Sequence, residues 1–370
     1  MKYKKFLKKI HGDDVGYESA TPEIVADFIS NDISKRLRDL GIREINAIDC
    51  CCGIGSVAIA LSKRFNLVMA VDKDKERLKT AKENAGVHKQ ENINFICEDI
   101  FALNFKNLKA KYGINVVFAD PQRRLMTDGE FKRVSDLAET SPNTTDLINF
   151  ISVEISNMCV LASSNAKIEI PSCERVYISW EGRKGKRENL LALYFGNLKR
   201  CDTRAVVLPC GEMICRKEKN DNDNVCGEVC SNLNSNINKY LYEIRDCVVK
   251  AGLLNELINE SAKANECKIY PFFNQKFLTS EKNIKSSFFE NRFEILAITD
   301  KENLIENLKK FNAGKIVIRG KISPEKYKKM KNETETVLAK FNGKEKIHIF
   351  LHDKSEGYKI LIGKNLNFKV

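Results

Sequence analysis

No apolar run in the sequence approaches the ~20 residues that a membrane-spanning helix requires. No small-residue cleavage site follows the basic start MKYKKFLKKI. Neither a spanning helix nor a secretory signal is therefore expected, and a cytoplasmic location is. CxxC pairs are also missing, although there are 13 cysteines. Without an export signal those thiols are expected to stay reduced rather than build a disulfide framework. Cys210, Cys215, Cys226 and Cys230 come nearest to a zinc set, but their C-x4-C and C-x3-C spacing is looser than a zinc ribbon's, and no metal is expected. Acidic charge is in deficit, with 50 Asp+Glu against 62 Lys+Arg. The net charge of +12 suits a polyanionic partner, most simply nucleic acid. At 370 residues and 43% hydrophobic content, the chain can bury two ordinary cores.

The most informative stretch is Ile45 to Asp72, INAIDCCCGIGSVAIALSKRFNLVMAVD. Ile45, Ala47 and Ile48 form a short apolar run that stops at Asp49. Gly53 and Gly55 permit a tight turn with backbone close to a ligand. Residues 56–64 read as a helix entered directly from that turn. Residues 67–71 read as a buried strand ending at Asp72. Strand, glycine turn, helix, strand and acidic end make half of a nucleotide-binding crevice. Gly53-x-Gly55-x-x-Ala58 also satisfies the dinucleotide fingerprint. Asp49, four residues before the first glycine, points instead to a ligand with a cationic amine.

The pattern continues on both sides. Residues 1–10 carry five lysines interleaved with Tyr3, Phe6, Leu7 and Ile10, a basic amphipathic arm. Residues 17–33 read as a capped helix with Thr21 as N-cap and Pro22 in the first helical position. Strands are expected at 93–97, ending in Glu98-Asp99-Ile100, and at 114–119, ending in Asp120-Pro121-Gln122-Arg123-Arg124. Acidic residues at four strand ends, alternating with helices, predict a doubly wound parallel sheet with Asp49, Asp72, Asp99 and Asp120 along one crevice. Residues 146–162 suggest a helix and 167–170 a fifth strand. Residues 175–180 and 190–195 flank GRKGKR and read as a hairpin with a basic tip, suited to phosphates. The resulting division is residues 1–40 as arm and helices, 41–205 as the doubly wound domain, 206–238 as polar linker, and 239–370 as a second α/β domain. In that last part 239–258 looks helical, with strands at 293–298, 315–318, 347–351 and 358–362 and helices at 301–311 and from Pro324. The second domain shows no acidic crevice and no catalytic constellation.

The core resembles the class I S-adenosylmethionine-dependent methyltransferases, which have a Rossmann-like fold. The resemblance implies S-adenosylmethionine as cofactor. It implies that the D-x-x-x-G-x-G turn (Asp49, Gly53, Gly55) holds the methionine moiety, that Asp72 takes the ribose hydroxyls, and that Asp99 with Ile100 cradles the adenine. Thr21, Cys51 and Lys73 are expected beside them, and Asp120 at the boundary of cofactor and methyl acceptor. Over about residues 16–122 the chain looks closest to the trimethylguanosine synthase group of guanine-N2 methyltransferases, on ATPEIVADFI, DCCCGIGSVAIALS, AVDKDKERLKTAKENA and INFICEDIF. YLYEIRDCVVKAGL, KFLTS, FEIL and KIVIRG look like methyltransferases with a C-terminal THUMP-like domain. That likeness implies structured RNA, such as tRNA, as partner.

The acceptor motif departs from the family. Amino-directed members commonly have Asn/Asp/Ser-Pro-Pro-aromatic, where this chain has Asp120-Pro121-Gln122-Arg123. These residues are expected to shape and orient the acceptor, with Arg123 as a stacking plane or phosphate ligand. The Asp-Pro-x-Arg form also resembles uracil-C5 methyltransferases of RNA, which need a cysteine nucleophile. Cys173 is the placed candidate, in surroundings unlike that family's motif. The expected activity is direct methyl transfer to a base nitrogen of RNA. The alternatives are a DNA substrate, uracil C5, or a non-catalytic RNA-binding protein that retains the fold. A NAD-dependent dehydrogenase is disfavoured by Asp49, by Asp120-Pro121 and by the lack of a hydride-transfer acid.

Overall fold

The structure is a computed structural model describing residues 5–127, 130–170, 172–182, 185–216, 237–272, 276–320, 322–354 and 357–366. Two units divide the chain: residues 1–223 with 246–253, and residues 224–245 with 254–370.

The first unit opens with α1 (Asp14–Ser19) and α2 (Glu23–Asp39). Then follow β1 (Asn46–Cys50), α3 (Ser56–Ser62), β2 (Leu67–Asp72), α4 (Lys75–Val87) and β3 (Ile93–Cys97). α5 (Phe105–Tyr112) leads to β4 (Val116–Ala119), and a small hairpin of β5 (Arg124–Thr127) and β6 (Glu130–Arg133) comes next. α6 (Thr144–Ser152), β7 (Met158–Ser163), β8 (Glu174–Glu181), β9 (Arg187–Phe195), β10 (Thr203–Val207) and β11 (Glu212–Arg216) complete the sheet.

Nine strands run in the order β11-β10-β8-β9-β7-β4-β1-β2-β3. The five from β7 to β3 are mutually parallel, as the alternation of apolar runs and helices predicts. β9 then enters antiparallel between β7 and β8, so the sheet as a whole is mixed. β2 and β4 are nearly continuous apolar runs, and successive residues of β1, β2 and β4 are buried, as expected for parallel strands covered on both faces. Val25, Ile29, Ile33 and Leu37, four residues apart along α2, are all fully buried in the core that α2 shares with α3.

Several sequence expectations change. Thr21 is not the N-cap of the second helix: Pro22 occupies that place with no side-chain cap, and the Thr21 hydroxyl is committed elsewhere. Residues 146–162 are not one helix. α6 ends at Ser152, and Met158–Ser163 is β7, buried on both faces. A short run that is apolar on every side does not distinguish helix from strand by periodicity. The fifth parallel strand is therefore β7 rather than residues 167–170, which form no regular element. Residues 5–10 pack on the first unit through one face, Phe6 and Ile10 meeting Ile54. The stretch from 206 onward still contains the end of β10 and all of β11, while residues 217–236 lie outside the described residues.

The segment from 239 is not helical at its start. It forms β12 (Tyr240–Ile244), where Tyr, Leu and Ile favour a strand, and only then α7 (Asp246–Ala251), which packs on β8 and β10 in the first unit. The second unit adds α8 (Leu254–Asn265), β13 (Tyr270–Phe272), β14 (Phe277–Ser280), β15 (Phe289–Thr299), α9 (Leu304–Lys310), β16 (Ala313–Arg319), α10 (Pro324–Ala339), β17 (Glu345–Lys354) and β18 (Gly357–Asn365). Its seven-stranded sheet is ordered β13-β14-β12-β15-β18-β17-β16, antiparallel except for β16 with β17. The expected strands and helices between 293 and 362 all appear.

Candidate active site

From β1 the chain winds to β2 and β3 on one side and reaches β4 and β7 on the other. The loops after β1 and β4 therefore leave in opposite directions and open a crevice at the carboxyl ends of the strands. A cleft of about 710 Å³ occupies that place.

The turn after β1 forms one wall. Cys51, Gly53 and Gly55 all have positive φ, at 61°, 54° and 84°. No atom lies within 4 Å of where a Cβ on Gly53 would project, so this glycine leaves its space to the cleft. Gly55 stands behind the turn and does not line the cleft: its Cβ would lie 3.0 Å from that of Ala81. The two glycines thus serve different ends, one open to a ligand and one closing α3 against α4. Asp72 fixes the turn from β2, its Oδ2 accepting from the Gly53 amide at 2.8 Å and its Oδ1 from the Asp74 amide at 3.0 Å.

Asp49 lies beneath the turn with about 1% of its surface exposed. Neither carboxyl oxygen has a hydrogen-bond partner. Burial, then the negative charges of Asp120 and Asp72, push this carboxyl well above the usual range; a weak approach of the Ala58 amide opposes them. A buried carboxyl with no donor and two like-charged neighbours is costly, and a cationic ligand relieves it directly.

At the end of β4, Asp120 takes a bond from Thr21 Oγ1 on Oδ2 at 2.7 Å and one from the Arg123 guanidinium on Oδ1 at 3.1 Å. Arg123 also donates to the Ala162 carbonyl at 3.0 Å. It is therefore tied at the strand end, although bonds made in the guanidinium plane leave its faces for stacking. Pro121 is buried. Gln122 pairs its backbone with Ser141 and turns its Nε2 back onto the Arg124 carbonyl at 2.7 Å, so its amide group shapes the loop. Toward the other end of the cleft, Lys73 lines the wall with Asp99 and Ile100. The Asp99 side chain caps a single 3-10 turn by accepting from the Phe101 amide at 2.9 Å, and Ile100 supplies a buried apolar surface. The structure thus gathers the sequence-predicted residues in one cleft, with Gly55 and the alternative nucleophile Cys173 the exceptions.

Sequence reasoning missed one wall. Trp180, Glu188, Asn189 and Leu190, from β8 and β9, line the same cleft. The hairpin was legible, but its basic tip drew the functional reading. Of that tip, Arg183 and Lys184 lie outside the described residues, and Arg187 pairs with Glu181 at 2.9 Å. The cationic rim that is described centres on Arg123, Arg124 and Arg133, with Arg124 directly opposite Arg133 across β5 and β6. Burial, then the like charges of Arg133 and Arg123, lower the Arg124 pKa despite the opposing effect of Glu18.

The cysteines offer little reactivity here. Cys51 and Cys52 line the cleft, but burial and then the surrounding carboxylates push both thiols up. Cys173 is buried, bonded to the Ile170 carbonyl and shifted upward by burial, and it does not line the cleft. Cys226 and Cys230 lie outside the described residues, and no metal-ligating cluster is found among the described ones. No described helix is long and apolar enough to cross a membrane.

Parallel strands, a glycine turn after β1, acidic strand ends and an antiparallel strand beyond β7 define a Rossmann-like α/β domain. Residues 45–123 match the family model described as RNA cap guanine-N2 methyltransferase. The chain is 33% identical over 86 residues to a tRNA/tmRNA (uracil-C(5))-methyltransferase of Nautilia profundicola, covering 22% of this chain and 24% of that one. It is also 33% identical over 94 residues to an uncharacterized RNA methyltransferase of Aquifex aeolicus, covering 25% and 21%. These matches span about a quarter of the length of the curated relatives. A crystal structure from Porphyromonas gingivalis W83, described as a candidate methyltransferase, superposes with a TM-score of 0.66 at 16% identity, covering 96% of this chain and 83% of that one. That likeness extends the shared fold beyond the first unit.

Proposed function

We propose that this protein is an S-adenosylmethionine-dependent methyltransferase that acts on a base nitrogen of structured RNA by direct transfer. The observation that carries the reading is Asp49: a buried, unpartnered carboxyl beneath a glycine turn, within the family-matched stretch. S-adenosylmethionine brings a cationic amine and, when bound, an electrophilic methyl group on a sulfonium. Asp49 would neutralise positive charge, with Gly53 leaving room for the amino-acid moiety. Asp72 keeps lone pairs for a ribose diol beyond those used by the Gly53 and Asp74 amides. Ile100 offers an apolar face to the adenine, and Asp99, with Cys51 and Lys73, completes that end.

Asp120 would orient the acceptor amine. Thr21 and Arg123 fix its carboxylate, and each oxygen keeps a further lone pair with which to accept. Holding acceptor and donor in line supplies much of the rate effect. A carbon-directed reaction at uracil needs a thiolate attacking C6. The upward-shifted Cys51 and Cys52 and the buried Cys173 argue for direct transfer instead. RNA as substrate is supported by the +12 charge, the arginine rim and the matched relatives. A THUMP-like second unit fits the same reading.

Methyl transfer from labelled S-adenosylmethionine to RNA from a strain lacking this gene, followed by nucleoside mass spectrometry, tests the proposal. One methylated nucleoside, lost with Asp120→Ala, is the expected result. Cofactor binding without incorporation into RNA would overturn the RNA assignment.

A further inference from the structure

Five arginines line the cleft, and three of them are spent on nearby carboxylates: Arg77 on Asp74 at 3.6 Å, Arg123 on Asp120 at 3.1 Å and Arg187 on Glu181 at 2.9 Å. Arg124 and Arg133 differ. Among the described residues neither has an ion-pair partner, and the two stand directly opposite each other on β5 and β6. Opposite residues of an antiparallel pair share a face, with Cβ atoms about 5 Å apart, and like charges placed so repel. Arg124 keeps one bond, from Nη2 to the Glu18 carbonyl at 3.3 Å, which anchors it to α1 without neutralising it. The charge of Glu18 offsets the repulsion only in part, since burial and the two neighbouring guanidiniums still lower the Arg124 pKa. Arg133 is exposed. Two guanidinium forks at this spacing suit a tetrahedral anion that accepts from both. The rest of the cleft fixes where such an anion can lie. Asp49, Asp72, Asp99 and Asp120 line it and repel negative charge. A phosphate is therefore held at the hairpin, which begins one residue beyond Arg123 and the Asp120 carboxylate it binds.

We infer that the β5–β6 hairpin is a phosphate clamp, in which Arg124 and Arg133 together hold one backbone phosphodiester of the RNA while a base enters the acidic cleft. The inference rests on the RNA reading above and adds to it the direction in which the substrate lies. Both arginines act on binding and orientation, and neither touches the reacting atoms. Orientation of the acceptor amine stays with Asp120.

The test titrates the full-length protein, saturated with S-adenosylhomocysteine, with end-labelled tRNA from a strain lacking this gene, and follows anisotropy over a range of salt. Arg124→Gln and Arg133→Gln should each raise Kd about tenfold, as for a lost charge-assisted hydrogen bond, with S-adenosylhomocysteine affinity unchanged. The double variant should lower the slope of log affinity against log salt by about one, the value for a single phosphate. A fall of about two puts the arginines on separate phosphates and overturns the clamp. Lys132 is the control: it is exposed on the other face of the hairpin, opposite Leu125, and does not line the cleft. Lys132→Gln should change Kd little, and an effect as large as those of the arginine variants makes the surface a diffuse one and overturns the clamp. Phosphatase-treated tRNA should give the same differences; their disappearance moves the contact to a terminal phosphate and overturns the diester assignment. Unchanged Kd in both arginine variants overturns the inference while leaving the RNA reading intact. No binding of tRNA by the parent, with S-adenosylhomocysteine still bound, overturns the RNA reading and the inference with it.

Discussion

Two groups of acidic residues in the first unit are buried in opposite ways. Asp32 and Glu174 lie in a closed set with Arg36 and Arg204, two carboxylates against two guanidiniums. Arg36 grips both oxygens of Glu174, at 2.5 and 3.0 Å, and Arg204 reaches Asp32 at 2.5 Å and Glu174 at 3.1 Å. The Arg36 guanidinium lies 4.8 Å from the centroid of the Tyr194 ring, which covers it. Burial alone would raise the Asp32 pKa, but the charges and bonds of Arg204 and Arg36 outweigh it and hold it below its ordinary value. In the cleft, among the described residues, Asp120 alone of Asp49, Asp72 and Asp120 has an ion-pair partner, the Arg123 guanidinium at 3.1 Å. Asp49 has no hydrogen-bond partner and shifts the other way. The first arrangement completes its own electrostatics and joins α2 to β8 and β10. The second leaves a negative balance that a positively charged ligand removes. Similar residue types thus serve structure in one place and binding in the other, and the supply of cations separates them.

Breaking the closed set should produce the largest effect. Arg204→Met leaves two deeply buried carboxylates with one guanidinium, and a loss of about 3–5 kcal/mol of stability is expected in urea unfolding. A loss under about 1 kcal/mol would mean that the set is not the clamp described. The cleft should respond in affinity. Asp72→Ala removes the acceptor for the Gly53 amide and the proposed ribose ligand together. S-adenosylhomocysteine affinity should fall by more than roughly tenfold, about 1.4 kcal/mol, by isothermal titration calorimetry. Asp49→Asn is the sharper case. It should weaken S-adenosylmethionine binding by about tenfold while leaving the free protein as stable as before or slightly more so. If the ligand-free variant is instead clearly destabilised, Asp49 belongs with the structural acids.

The smallest effect is a contrast in pH dependence. Asp49 has a raised pKa in the fold, so its contribution to the free protein's stability is full below the unfolded value of 3.8 and is lost as pH rises through the folded value. Asp32 has a lowered pKa, so its contribution is present above 3.8 and lost as pH falls through the folded value. Stability curves of Asp49→Asn and Asp32→Asn against pH should therefore depart from the parent with opposite slopes. Cofactor affinity of the parent should decline on acidification, as protonation removes the Asp49 charge, and the Asp49→Asn substitution should flatten that decline.

Much of the site was legible because it is local. Asp49, Gly53, Gly55 and Asp72 fall within one βαβ unit, where strand length, glycine conformation and an acidic strand end read directly from spacing. Asp99 and Asp120 followed from the same rule applied to later strands. Contacts made over long separations were not legible. Thr21 and Asp120 are 99 residues apart, and the sequence offers helix capping as the nearest use for a threonine before Pro-Glu. The closed ionic set joins residues 32 and 36 to 174 and 204, which no local pattern links. The hairpin wall escaped for a different reason. Strand periodicity does not reveal which end of a strand faces a cleft, and an antiparallel strand brings its first residues to the place where parallel strands bring their last.

The bond from Thr21 to Asp120 bears on how this protein can be taken apart. Residues 5–11 are stapled to the same unit: Asn84 accepts from the His11 amide at 2.6 Å and donates to the His11 carbonyl at 2.9 Å and to that of Ile54 at 2.9 Å. An expression boundary drawn at residue 41, where the first strand of the recognisable domain is about to begin, would strip Asp120 of one of its two donors and uncover Ile54 beneath the glycine turn. A fragment that keeps the cleft intact must therefore start upstream of the helices.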